Sequence, residues 1–344
     1  MSVLATPVPA ERRRALTRAA GLPIAAAALV AVILLSIAVG AKSIPIGDVI
    51  DGVLRDDGSE SAAIVRELRV PRTLVGLAVG MSLGVAGALM QALTRNPLAD
   101  PGLLGIEAGA SAAVVVAIAW LGLSQPRAYV WFAFAGAALA SVVVYVLGSR
   151  GRAGATPVRL ALSGTAVAAA LTAFVYGVTL LDPEAFDEFR FWDVGSLVGR
   201  DLTILRDVGP FLLAGLVLAV ALARPLNALA MGDDSGRALG AHIGRTRAFG
   251  ALAITLLCGG ATAVAGPIWF VGLAIPHLAR AIAGPDQRWV IAYSVLLAPI
   301  LLVGADVVGR VIVRPGELEV GIITALVGAP VFIALVRRTR IAQL

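Results

Sequence analysis

Long apolar runs broken by short polar turns constrain this chain more than any other feature. Runs rich in Ala, Val, Leu, Ile and Gly recur at about 21–41, 73–93, 103–123, 128–148, 160–181, 208–223, 248–265, 289–312 and 320–336, and a shorter one lies at 267–279. Roughly 17–25 apolar residues let an α-helix cross the hydrocarbon core of a bilayer. Inside lipid every backbone N–H and C=O must be satisfied within the protein, and a helix does this for itself. The pattern therefore predicts an all-α membrane protein, a single transmembrane domain over residues 1–344. Counting the short run gives ten transmembrane helices, with both termini on the same side.

Charge decides which side. The chain is 59% hydrophobic and only 15% charged, with a mean hydropathy of +0.91, yet it carries a formal charge of +6. Arg12, Arg13, Arg14 and Arg18 precede the first run, and Arg337, Arg338 and Arg340 follow the last. Placing both ends in the cytoplasm leaves most basic residues inside and most acidic ones outside, which is the Lys/Arg bias that sets orientation. The positive charge then faces an anionic lipid surface, so the bilayer is the partner it calls for and nucleic acid is not. The "VGA" at 39–41 resembles a signal-peptidase site, but the preceding run exceeds the usual h-region of roughly 7–15 residues and is read as a retained helix.

This topology assigns 42–72 and 182–207 to the extracytoplasmic side. The second of these contains "DEFRFWDVGSL", whose aromatics suit an interfacial helix. The largest cytoplasmic loop, 224–247, reads "RPLNALAMGDDSGRALGAHIGRTR", good helix formers punctuated by Gly232, Gly236 and Gly240. "LTRNPLADPGLLG" at 93–105 is a cytoplasmic turn, because Asn96 and Asp100 each precede a proline and are kept from helical geometry. Gly76, Gly80 and Gly84 have the small-xxx-small spacing of closely packed membrane helices.

Catalytic signatures are missing. The Gly-x-Ser-x-Gly match at 80–84 lies inside an apolar run and not on the strand-to-helix turn that exposes a nucleophile, and there is no His-Glu-x-x-His. His242 and His277 lie far apart with no cysteine cluster, and Cys258 is a lone apolar-flanked thiol, so no metal site and no disulfide is expected. Lys42 is the only lysine, and Ser36 and Ala41 stand where a P-loop needs glycines, so this chain does not bind ATP by that route. Two features stay open to function. Asp306 has Arg310 four residues on, the spacing of a helical ion pair, and such a pair either neutralises itself or relays protons. "GPIWFVGLAIPHLAR" at 266–280 is too short to span and reads as a broken helix, either a packing element or the lining of a transport path.

Several motifs occur together and in order: "RVPRTL" at 69–74, "MQALTRNPLADPGLLG" at 90–105, "RALG" at 237–240, the broken-helix segment, and "GELEVGIITALVGAPVFIALVRR" at 316–338. Over nearly its whole length the chain resembles the permeases of bacterial iron-siderophore and vitamin B12 ABC importers. "GAKSIP", "RFWDVGSL" and "RPGEL" resemble most the catecholate-siderophore members. The resemblance implies a non-catalytic subunit in a dimer of permeases, in the bacterial inner membrane. Two cytoplasmic ATPases would bind ATP and Mg, and an extracytoplasmic binding protein would deliver a ferric siderophore. Vitamin B12 or haem is the alternative cargo, and a proton-coupled transporter the alternative class. It further implies that Arg69, Arg72 and Arg310 dock the binding protein. Met231, Gly232, Asp233, Arg237, Ala238, Leu239 and Gly240 would couple to the ATPase. Asn96, Leu98 and Thr156 would form the cytoplasmic gate. This chain itself would hold no cofactor, and it would pair with a second, related permease, with a homodimer as the alternative.

Overall fold

A computed structural model describes residues 10–55, 58–123, 125–150, 156–238, 240 and 242–337. Among these residues the secondary structure is helical and no strand occurs. The first long helix, α1 (Ala10–Ala38), is followed by the short helices α2 (Ile46–Leu54) and α3 (Glu60–Ala63). A π turn at Ile64–Arg69 carries α3 directly into α4 (Val70–Thr94). Pro71 explains the widened turn, since it has no N–H to give the preceding turn and its ring crowds that turn's carbonyl. The Val70 N–H bonds instead to the Val65 carbonyl, five residues back.

The chain continues through α5 (Ile106–Leu121), α6 (Pro126–Ser149), α7 (Pro157–Leu181) and the short helix α8 (Pro183–Asp193). Then come α9 (Leu202–Ala230), the short α10 (Asp233–Ala238), α11 (Ile243–Ile254) and α12 (Gly260–Ala265), the last two joined by a second π turn. The bundle closes with α13 (Val271–Ala283), α14 (Gln287–Ile312) and α15 (Val320–Arg337). Among the described residues, seven continuous helical segments are long and apolar enough to cross a membrane, and α5, α13 and α15 are shorter apolar helices. The thirteen residues of α13 rise only about 20 Å, well short of a core about 30 Å thick. The segment before it, 266–270, is not helical, and Gly266 and Phe270 both have positive φ. The sequence expectation of a broken helix is met here.

Burial sorts the helices. The apolar window of α4 is 78% buried, whereas that of α7 is only 17% buried and that of α1 only 11%. So α4 is the core helix, and α1 and α7 face outward to lipid or another chain. Backbone approach makes α4 central: a Cβ on Gly80 would lie 2.8 Å from the Cα of Pro299 on α14, and one on Gly87 would run into the Gly272 carbonyl of α13. Gly109 of α5 and Gly136 of α6 meet in the same way. Without a hydrophobic force between helices in lipid, such close packing is a main source of cohesion.

Candidate functional site

One end of the bundle, where α1 ends and α4 begins, holds a charged cluster built by α1, α4 and α14. Asp306, six residues before the end of α14, is 1% exposed, and Arg310 is 2% exposed. Arg72 on α4 places its Nε 3.1 Å from both Asp306 oxygens and its Nη2 2.6 Å from Oδ1, and its Nη1 donates to Glu317 Oε2 at 2.6 Å. Arg310 donates to Asp306 from Nε at 2.9 Å and also from Nη2, and its Nη1 donates to the Ser36 carbonyl at 2.8 Å. Ser36 in turn shares a 2.8 Å hydrogen bond with Thr73. The intrahelical pair open in the sequence reading therefore forms, and a second arginine joins it.

Arg69 behaves differently. Its guanidinium donates to the carbonyls of Ile37 (2.9 Å), Ala38 (2.7 Å) and Lys42 (2.6 Å), satisfying acceptors that the end of α1 leaves open. Arg69, Arg72 and Arg310 do come together, lining one cleft of about 390 Å³ with Lys42, Glu67, Arg200, Asp201 and Glu317. A docking role of the kind the resemblance implies calls for accessible guanidiniums, whereas Arg69 (5% exposed) and Arg310 are buried. Buried charges persist only when paired and hydrogen-bonded, and the internal partners supply that. Arg200 was not singled out from the sequence, because nothing local separates it from neighbouring basic residues such as Arg206. At the cleft wall, Asp201 caps α9 by accepting from Thr203 Oγ1 (2.6 Å) and the Ile204 N–H (3.0 Å), and the Thr203 hydroxyl holds its carboxyl below the ordinary range.

At the opposite end, α4 stops where Arg95 turns left-handed (φ 51°). Asn96 Oδ1 then accepts the Leu98 N–H at 3.0 Å, and Asp100 Oδ1 accepts the Gly102 N–H at 2.8 Å, starting a single 3-10 turn over Pro101–Leu104. Burial pushes the Asp100 carboxyl up, opposed by that N–H. Thr156 caps α7 through the Arg159 N–H at 3.4 Å. Asn96 is exposed, while Leu98 and Thr156 are half-buried. These polar groups thus have a local task in ending and starting helices.

Between the two ends, α5, α7 and α8 border an open cleft of about 380 Å³ lined by Glu107, Ser111, Thr172, Arg190, Asp193 and Trp269 among others. Ser111 Oγ is 3.3 Å from Asp193 Oδ1, tying α8 to α5. Glu107 is 7% exposed, and one of its oxygens has no hydrogen-bond partner. The sequence reading placed Glu107 in a span but gave it no role.

The expected coupling loop folds as the turn Met231–Gly232, helix α10 and Gly240, both glycines having positive φ. Asp233 points inward, with both oxygens 3.1 Å from Arg247 Nη2 on α11 and Oδ1 3.7 Å from Arg95 after α4. Asp234 is fully exposed and pairs with Arg237 at 3.0 Å. Met231, Arg237, Ala238 and Gly240 are exposed as well, and Gly232 is half-buried. Leu239 lies outside the described residues.

A helical bundle of this composition, with charged clusters at its two ends and a polar cleft beside Glu107, defines a multi-pass membrane protein. Residues 28–338 match the FecCD transport family, and the chain belongs to that family. It is 49% identical over 325 residues to the ferric enterobactin transport system permease protein FepD of Escherichia coli (strain K12), covering 94% of this chain and 97% of that one. It is also 36% identical over 279 residues to the hemin transport system permease protein HmuU of Yersinia pestis, covering 79% and 83%. The fold matches, with a TM-score of 0.81, a solved chain described as an inward-facing conformation of a metal-chelate type ABC transporter. That match covers 92% of this chain and 98% of the other at 24% identity.

Proposed function

We propose that this chain is the permease subunit of an ATP-driven importer that carries a ferric siderophore of the catecholate type across the cytoplasmic membrane. The observation that carries the reading is the 49% identity, over almost all of both chains, with a relative named for ferric enterobactin transport. Ten spans with both termini in the cytoplasm fit the charge distribution. The cleft around Arg69, Arg72 and Arg310 then faces outward as the seat of a binding protein. The exposed side of α10, with Met231, Arg237, Ala238 and Gly240, faces a cytoplasmic ATPase that holds ATP and Mg. Asn96, Leu98 and Thr156 close the inner end of a path that the Glu107 cleft borders. The exposed apolar side of α7, including Val158, Leu162, Tyr176 and Leu180, suits a second permease across a two-fold axis. That partner is a related chain rather than a second copy.

Haem is the second cargo worth testing, because a hemin permease is also a relative at 36% identity. The deciding experiment supplies reconstituted importer with ferric enterobactin, haemin and vitamin B12 in parallel. ATP-dependent uptake of the ferric catecholate, with little of the others, is the expected result. Preferred uptake of haemin or vitamin B12 would overturn the cargo assignment.

A further inference from the structure

Arg200 differs from the other arginines of the outer cleft. Arg69, Arg72 and Arg310 spend their donors on internal carbonyls and carboxylates. Arg200 is only 7% exposed, lines the same cleft, and its Nε has no hydrogen-bond partner. The adjacent Asp201 does not serve it, being committed to the α9 cap. A buried guanidinium N–H with nothing to bond to is costly, and an arriving carboxylate removes that cost.

The loop that carries Arg200 is held before any ligand arrives. The Ser196 N–H donates to the Ala265 carbonyl at 2.7 Å, and the Gly195 carbonyl accepts the Gly321 N–H at 3.0 Å. Gly195 has φ +78°, and a Cβ there would run into the Pro267 carbonyl, so only glycine fits this approach. Leu197, 1% exposed, plugs the loop into the core. Little ordering of the backbone is left to oppose binding.

We propose that Arg200 is a docking residue of the outer cleft, receiving a side-chain carboxylate of the extracytoplasmic binding protein. This inference rests on the import reading above. Charge favours an acid: Lys42, Arg69, Arg72, Arg200 and Arg310 outnumber Glu67, Asp201 and Glu317 along the wall. The rim favours a protein over a free small anion, because exposed Leu68 and Val198 flank the guanidiniums and offer apolar contact that a small anion would not use.

The test measures association of the importer's own binding protein with the complete importer in nanodiscs, over a range of salt. Arg200→Gln is expected to weaken association by about 30-fold or more, as when one member of a desolvated charge pair is removed, and to flatten its salt dependence. Arg200→Lys keeps the charge but loses the planar fork, so a loss of about tenfold is expected. Arg127→Gln, which removes an outer-side cation away from the cleft, is expected to bind as wild type. Wild-type affinity in Arg200→Gln overturns the proposal while leaving the import reading intact. If Arg200→Gln does not assemble, Arg200→Lys is read in its place, and its wild-type affinity overturns the proposal equally. A variant that loses affinity for ferric enterobactin alone, yet still binds the binding protein, also overturns it. A wild-type importer that captures no binding protein overturns this proposal and the import reading together.

Discussion

Arg72 Nη2 lies 2.6 Å from Asp306 Oδ1, joining α4 to α14 across 234 residues of sequence. Arg310 holds the other oxygen of the same carboxylate. One buried acid thus fixes two arginines that the outer cleft presents. Any carboxylate that engaged Arg72 would have to compete with Asp306 and Glu317, so the cluster sets both the shape of the cleft and how strongly it would attract acids.

Removing that acid should be severe. Asp306→Ala leaves two guanidiniums without their buried partner, and breaking a buried pair costs about 3–5 kcal/mol. Thermal unfolding of the purified subunit in detergent is expected to shift several degrees downward. A melting curve equal to wild type would contradict the role assigned to Asp306.

Helix α10, proposed above to face the ATPase, offers a paired comparison. Asp233 anchors α10 to Arg247 and Arg95, whereas Asp234 stands in solvent beside Arg237. Asp233→Ala is expected to loosen α10 by about 1 kcal/mol, the upper range for a partly exposed pair, and to reduce ATPase co-purification several-fold. Asp234→Ala should retain it. Equal retention by both variants would show that the anchoring of α10 does not matter for coupling.

Helix packing gives a third outcome. Gly87→Ala drives a methyl into the Gly272 carbonyl, and α4 cannot yield easily because it is buried among α13 and α14. A loss of about 1–3 kcal/mol is expected for such overpacking, read as reduced folded yield and earlier thermal unfolding. Gly244→Ala on α11 meets nothing within 4 Å, and Ala favours helix by about 1 kcal/mol. It should be neutral or stabilising. Matching behaviour of the two variants would argue against close α4–α13 contact.

Periodicity and polar punctuation made much of this architecture legible. The apolar runs give the long helices, the Asn96-Pro97 and Asp100-Pro101 pairs mark the inner turn, and Gly80 sits where two helices touch. Legibility fails where tertiary contact decides. The Asp306–Arg310 spacing was readable, but the burial of Arg69 and Arg310 was not, because the carbonyls they bond come from the distant α1. Glu107 and Arg200 drew no attention, since an isolated charge carries no local sign of being buried beside a cleft. Asp233 and Asp234 look alike in sequence, and only the fold turns one inward and the other out.

The most direct test of the central claim is uptake of radiolabelled ferric enterobactin by proteoliposomes containing this permease, its partner permease and the ATPase. ATP is enclosed inside, and the binding protein is supplied outside. The account predicts accumulation that requires ATP and the binding protein, and that stops when the ATPase is made unable to hydrolyse ATP. Accumulation that persists without a working ATPase and follows an imposed proton gradient would contradict it.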